Sequence, residues 1–219
     1  MELHKTIRAQ TQPQIAFLCM SWSFFREFIF NWKSVGAVAP SSPMLASLLA
    51  ESANISAARQ VLELGPGTGP ITEAISQSIS AQAHYLGLEM NESFVKQLRE
   101  RFPAMQFEAV AAQSFDFDQV LGHDGSFDAI VSGLPWTAFP ESLQIAILDH
   151  VMARLRPGGL FVTFAYTGFH RLPSGRRFRK LLSSRVARLE MTQTIWGNFP
   201  PAFVYVAKMG SESTGSTQA

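Results

Sequence analysis

The run Val61-Leu62-Glu63-Leu64 enters a loop with glycine at positions 65, 67 and 69, and a second apolar run, Leu86-Gly-Leu-Glu, closes at Glu89. No other stretch restricts the fold as tightly. It reads as a strand, a glycine-rich turn, a helix from Ile71 onward, and a second strand tipped by an acid. Glycines at such a turn let the main chain pass close to a ligand and let the helix sit tightly on the sheet. A carboxylate twenty residues after Gly69 is placed to accept both hydroxyls of a ribose. The alternative is a turn that only joins a strand to a helix. The acid and the spacing favour a nucleoside-cofactor site.

The same alternation runs through the chain. Ser41 or Ser42 caps a helix that runs to about 49. Strands are predicted over 60–64, 83–88, near 105–110, and over 127–132 and 159–165. Helices are predicted over 70–79, 91–101 and 141–155, and Arg156-Pro-Gly-Gly is read as a turn. Two further strands, 186–196 and 202–208, are joined by Asn198-Phe-Pro-Pro, short enough for an antiparallel hairpin. Strands alternating with helices predict an α/β fold, a mostly parallel sheet covered on both faces. The expected division is an N-terminal amphipathic helix and lid segment over 1–50, a catalytic domain over 51–209, and a disordered tail over 210–219.

Net charge is only +1, with 47% hydrophobic and 16% charged residues, which excludes a disordered chain and gives no global nucleic-acid signature. One cysteine, Cys19, excludes an internal disulfide and fits a reducing compartment. No Cys/His cluster has metal-ligand spacing, so no metal is expected. Two local features stand out from this even background. Over 15–33, Trp22, Phe25, Ile29 and Trp32 fall on one helical stripe. Arg26 and Glu27 interrupt the run, so it does not span a membrane. Between Arg171 and Arg188 the chain is basic without an acid, and Arg176, Arg177, Arg179 and Lys180 form its centre. The stripe is either a packed lid or a membrane-surface helix. The basic run is either a solvated face or a site for a lipid phosphate.

The loop is not the dinucleotide G-x-G-x-x-G, and no P-loop is present. Its order, E-x-G-x-G-x-G followed by a second-strand acid, resembles motif I of class I S-adenosylmethionine-dependent methyltransferases. That resemblance implies a Rossmann-like sheet and S-adenosylmethionine as cofactor. It places Glu63 near the methionyl ammonium, the Gly65, Gly67 and Gly69 backbone along the ligand, and Glu89 on the ribose, with Met90, Ser132, Ser41 and Ser42 also facing the site. The third strand departs from the family's Gly-Asp-Ala. It carries Val110-Ala-Ala-Gln113 instead, where Gln113 or Ser114 stands in for the adenine-binding acid.

The fourth strand delivers Ser132-Gly-Leu-Pro-Trp to the same edge. An amine acceptor needs carbonyls to hold its N–H groups and a ring face to stabilise the ammonium that forms. Gly133, Leu134 and Trp136 are therefore the expected acceptor-positioning residues, the alternative being a turn with a packing tryptophan. Adenine-modifying enzymes often carry an amide or carboxylate where Gly133 stands.

Four segments together resemble bacterial phospholipid N-methyltransferases, relatives of the rRNA adenine dimethyltransferases. They are the aromatic run into Val35-Gly-Ala-Val-Ala-Pro-Ser-Ser, the loop at 63–69, Ser132-Gly-Leu-Pro, and Trp196-Gly-Asn-Phe-Pro-Pro-Ala-Phe-Val-Tyr. The resemblance implies methyl transfer to the amine of phosphatidylethanolamine, towards phosphatidylcholine. It implies a cytoplasmic enzyme, peripheral on the membrane, with anionic lipids as partners and no nucleic acid. The competing readings are an rRNA adenine N6-methyltransferase and a non-catalytic S-adenosylmethionine-binding protein.

Overall fold

The computed structural model describes residues 42–122 and 125–211. The stripe of Trp22, Phe25, Ile29 and Trp32, the cap candidate Ser41 and most of the expected tail lie outside them.

The first described element is α1, Pro43–Ser52. The Ser42 hydroxyl accepts from Leu45 N at 3.3 Å, and Pro43 opens the first turn, where a missing N–H costs nothing. The helix turns Leu45, Ala46, Leu49 and Ala50 into the core, so it crosses the expected boundary at 50 as part of the packed domain.

Then come β1 (Gln60–Leu64), α2 (Pro70–Ser78), β2 (His84–Glu89), α3 (Glu92–Arg101), β3 (Gln106–Ala109), α4 (Asp118–Leu121), β4 (Phe127–Ser132) and α5 (Glu141–Met152). The chain ends with β5 (Leu155–Tyr166), α6 (Pro173–Ser183), β6 (Arg188–Met191) and β7 (Ala202–Lys208). The sheet order is β3-β2-β1-β4-β5-β7-β6. Strands β1 to β5 run parallel, and β7 is antiparallel to both β5 and β6. The expected α/β sheet with an antiparallel C-terminal pair is therefore present. Its central strands are buried on both faces, with Val61, Leu62, Leu64, Ala129, Ile130 and Val131 all at 0% exposure. From β1 the chain steps outward through β2 and β3, then returns to β4 on the other side of β1. That reversal opens a crevice at the carboxyl ends of β1 and β4.

Three expected boundaries shift, and the strand expected over 186–196 holds only Arg188–Met191, with Ile195 making an isolated bridge to Ala202. Helix α5 stops at Met152 because Leu155 already pairs with Phe127 in the sheet. The Arg156-Pro-Gly-Gly turn is a bulge inside β5. The register jumps from Phe127↔Leu155 to Ala129↔Leu160, leaving residues 156–159 opposite Asp128. Gly158 takes φ +74° within the bulge. Asp128 holds this corner, accepting from Arg59 N at 2.7 Å and Gln60 N at 2.8 Å and pairing with Arg156 at 2.6 Å.

Candidate active site

Three glycines of the loop after β1 have positive φ: Gly65 at +69°, Gly67 at +59° and Gly69 at +87°. Their reasons differ. A Cβ on Gly65 would lie 2.8 Å from Leu134 Cδ2, and one on Gly69 would lie 2.9 Å from Leu98 Cδ2. Both positions are packed against protein. A Cβ on Gly67 would meet nothing within 4 Å, so Gly67 faces open space at the crevice.

Glu89 binds this loop directly. Its Oε2 accepts from Gly67 N at 3.0 Å and its Oε1 from Asn91 N at 2.9 Å. Burial raises its pKa, while the N–H groups of Asn91, Gly67 and Met90 favour the charged form. With three N–H groups on its two oxygens, the carboxylate keeps acceptor capacity for a ribose hydroxyl.

Glu63 lies beneath the loop at 0% exposure. Its Oε2 accepts from Thr72 Oγ1 at 2.9 Å and from the Tyr85 hydroxyl at 2.5 Å. Its Oε1 is buried with no partner among the described residues. Burial pushes its pKa up to about 7 against the lowering effect of the two hydroxyls. A buried carboxylate oxygen without a donor fits a cationic ligand such as a methionyl ammonium, so the residues present suit the cofactor. Sequence reasoning missed Thr72 and Tyr85, which orient this acid from α2 and β2.

The turn after β4 departs from expectation. Trp136 is 3% exposed and stacks on Phe178 at 4.6 Å, with an interplanar angle of 18°. Its indole N–H donates to Ser132 Oγ at 3.1 Å and Thr163 Oγ1 at 3.2 Å. The ring has no open face for an amine, because α6 covers it. Ser132 is likewise at 0% exposure, its hydroxyl held by Trp136 and by Leu134 N at 3.3 Å. It anchors the turn rather than facing a ligand. Three carbonyls of the turn are also engaged. Leu134 O accepts from Trp136 N, Pro135 O from Ala138 N, and Trp136 O from Gln144 Nε2 at 2.6 Å. What the turn does provide is proximity. A Cβ on Gly133 would sit 2.8 Å from Gly65 O, so the two loops cross where only glycine fits. Gly133 and Leu134 thus lie against the cofactor loop, and the glycine that replaces a polar residue has a steric reason.

Met90 follows Glu89 and is 45% exposed. Gln113 is half-buried on the short turn Ala112–Ser114 beyond β3. The N–H of Ser42 donates to Asn198 Oδ1 at 3.2 Å, and Asn198 Nδ2 donates to Pro200 O at 2.6 Å. Ser42 and Asn198, from two of the segments that carry the family resemblance, therefore meet in space, a contact that spacing alone does not reveal.

The basic run divides. Arg185 pairs with Asp149 at 2.6 Å, Arg188 pairs with Glu190, and Arg177 lies 3.9 Å from Glu141. Arg176, Arg179 and Lys180 on α6 are exposed and form no ion pair among the described residues. No helix among the described residues is long and apolar enough to cross a membrane.

The sheet order, the glycine loop under the β1 carboxyl end and the acid at the tip of β2 define a class I methyltransferase fold. Residues 61–159 match the model of a methyltransferase domain. An ornithine lipid N-methyltransferase from Singulisphaera acidiphila is 34% identical over 156 residues, 68% of this chain and 81% of that protein. Among solved structures, an O-methyltransferase from Thermotoga maritima aligns with TM-score 0.61 at 14% identity, covering 84% of this chain and 70% of its own. The N-methyltransferase NodS from Bradyrhizobium japonicum aligns with TM-score 0.60 at 15% identity, covering 76% and 94%. The chain belongs to the S-adenosylmethionine-dependent methyltransferases, enzymes that use that cofactor.

Proposed function

We propose that the protein methylates the amine of a membrane lipid, with phosphatidylethanolamine as acceptor and phosphatidylcholine as the end of the series. The observation that carries the lipid is the relative of 34% identity that acts on ornithine lipid, which makes ornithine lipid the second acceptor to test. The Asn-x-Pro-Pro and Pro-Ser-Ser signals, joined through Asn198 and Ser42, favour the phospholipid reading.

Glu63 is assigned to the cofactor's ammonium through its unpartnered Oε1, and Glu89 to the ribose through the acceptor capacity its N–H partners leave. Gly67 leaves the room, and Met90 and Gln113 flank the base on the β2 and β3 side. Bound S-adenosylmethionine supplies a methyl group already activated by a sulfonium charge. The protein's own work is alignment and removal of water. The Gly133-Leu134 backbone, set against the cofactor loop, positions the acceptor. The lipid ammonium must lose a proton before it becomes nucleophilic. Glu141 is exposed beside Arg177, whereas His170 keeps a buried Nδ1 without a partner among the described residues. Both stand as candidates to accept that proton.

The test is transfer of radiolabelled methyl from S-adenosylmethionine to detergent-dispersed phosphatidylethanolamine, to ornithine lipid and to ribosomal RNA. Label in phosphatidylethanolamine supports the proposal. Label only in ornithine lipid moves the acceptor, label only in RNA supports the adenine-methylating alternative, and label in none supports a binding protein.

A further inference from the structure

The two most exposed aromatic side chains among the described residues, Trp196 at 76% and Phe199 at 69%, share one loop between β6 and β7. Exposed apolar side chains scattered singly are ordinary; these two share one anchored loop. Between them Asn198 is 4% exposed and bonded to both Ser42 N and Pro200 O. Ile195 pairs with Ala202 across the loop base, and Pro201 O accepts from Thr167 N at 2.8 Å. That last bond joins the loop to the exit of β5, where Phe169 and Leu172 are 40% and 47% exposed.

The position of these groups matters. Ala202, at the start of β7, pairs with Tyr166, at the end of β5. The loop and the β5 exit therefore lie on the carboxyl edge of the parallel strands, the edge that carries Glu89 and the Gly133 turn. The charge at this end is one-sided. Between Tyr166 and Ser211 Glu190 is the single acid, and it pairs with Arg188. Arg176, Arg179 and Lys180 stand exposed on α6, which begins directly after Leu172.

We propose that the β6–β7 loop, with Phe169 and Leu172, is a membrane-docking rim that inserts its rings into an anionic phospholipid surface and turns the catalytic edge towards the headgroups. Tryptophan suits this place, having an apolar body and an N–H that stays wet at the interface. The neighbouring cations provide the charge complementarity that selects an anionic bilayer over a protein surface. Asn198 fixes the backbone of the loop that carries the rings, so insertion orders their side chains and not the loop. The rim rests on the lipid-amine reading for its purpose, but its existence is tested without any methyl transfer.

The experiment uses the full-length protein and the double variant Trp196→Ser/Phe199→Ser, whose side chains are exposed and whose loss leaves the core intact. Both are sedimented with vesicles of equimolar phosphatidylglycerol and phosphatidylcholine, and with phosphatidylcholine alone. The wild type is expected to bind the anionic vesicles more strongly, and the double variant to lose about ten-fold in partitioning to them. Methyl transfer to detergent-dispersed lipid should stay within about two-fold, because the rings lie outside the donor site. The variant Arg176→Gln/Arg179→Gln/Lys180→Gln should keep binding to phosphatidylcholine but lose the preference for anionic vesicles. Unchanged partitioning of the double variant overturns the proposal, as does a wild type that binds neither vesicle. A protein that partitions as expected yet methylates no dispersed lipid keeps the rim and loses the lipid-amine reading instead.

Discussion

Glu63 concentrates the energetics of the site in one side chain. It is fully buried, and burial lifts its pKa from 4.5 to about 7. A carboxyl that holds its proton more tightly when folded contributes stability below pH 4.5, and loses that contribution as pH rises through about 7. The difference amounts to roughly 3 kcal/mol. Glu63→Gln, neutral at every pH, should therefore gain stability relative to wild type between pH 5 and pH 8. Denaturant titrations at the two pH values measure this, and a difference that does not change with pH would contradict it. If Glu63 holds the cofactor's ammonium, binding must also release a proton near pH 6.5, seen as buffer-dependent heat in calorimetry. Glu89→Ala loses the acceptor of Gly67 N as well as the ribose contact and should weaken cofactor binding by about 1.5–3 kcal/mol. Gly133→Ala makes a different test, since its Cβ would meet Gly65 O at 2.8 Å. It should lower cofactor affinity by displacing the loop without touching either acid, and unchanged affinity would mean that the two loops have room to part.

At the level of elements, the central strands were located because β1 and β4 are buried on both faces and are mostly apolar, with Glu63 and Asp128 as their polar interruptions. What it did not show was how the third dimension uses each residue. Trp136 was read as a ring face for the acceptor from its place after β4, with a packing tryptophan as the alternative. Its cover comes from Phe178, forty-two positions on in α6. The basic run looked uniform because the acids that pair with Arg177 and Arg185 lie on α5. Arg156-Pro-Gly-Gly was read as a turn ahead of a strand at 159, whereas it is a bulge within β5, because a bulge and a turn share the same local signal. The glycine loop and the acid of β2 were legible because their spacing is itself the geometry. Trp136 is now a packing and anchoring residue, so Trp136→Ala should cost about 3–5 kcal/mol of stability. Chemical denaturation checks this. A stable, well-folded Trp136→Ala with selectively lost turnover would return the ring to the acceptor site.

Across the whole domain, Asn198 joins segments 156 residues apart, since its Oδ1 holds the N–H of Ser42. Ser42 begins α1, and α1 carries Leu45 and Leu49 into the core beside β7 and α2. The entry of the chain into the domain and the last loop before β7 are thus one structural unit. Asn198→Ala leaves two backbone groups, Ser42 N–H and Pro200 C=O, without that partner, and should cost about 1–3 kcal/mol. Asn198→Asp keeps an acceptor for Ser42 but turns a carboxylate towards Pro200 O, so it should not restore wild-type stability. Amide exchange distinguishes a shared unit from two independent ones. In Asn198→Ala the first-turn amides of α1, Ala46 among them, should exchange faster together with the Ile195 and Ala202 amides at the loop base. Acceleration at the loop with α1 unchanged would show that Ser42 and its helix are held by the core alone.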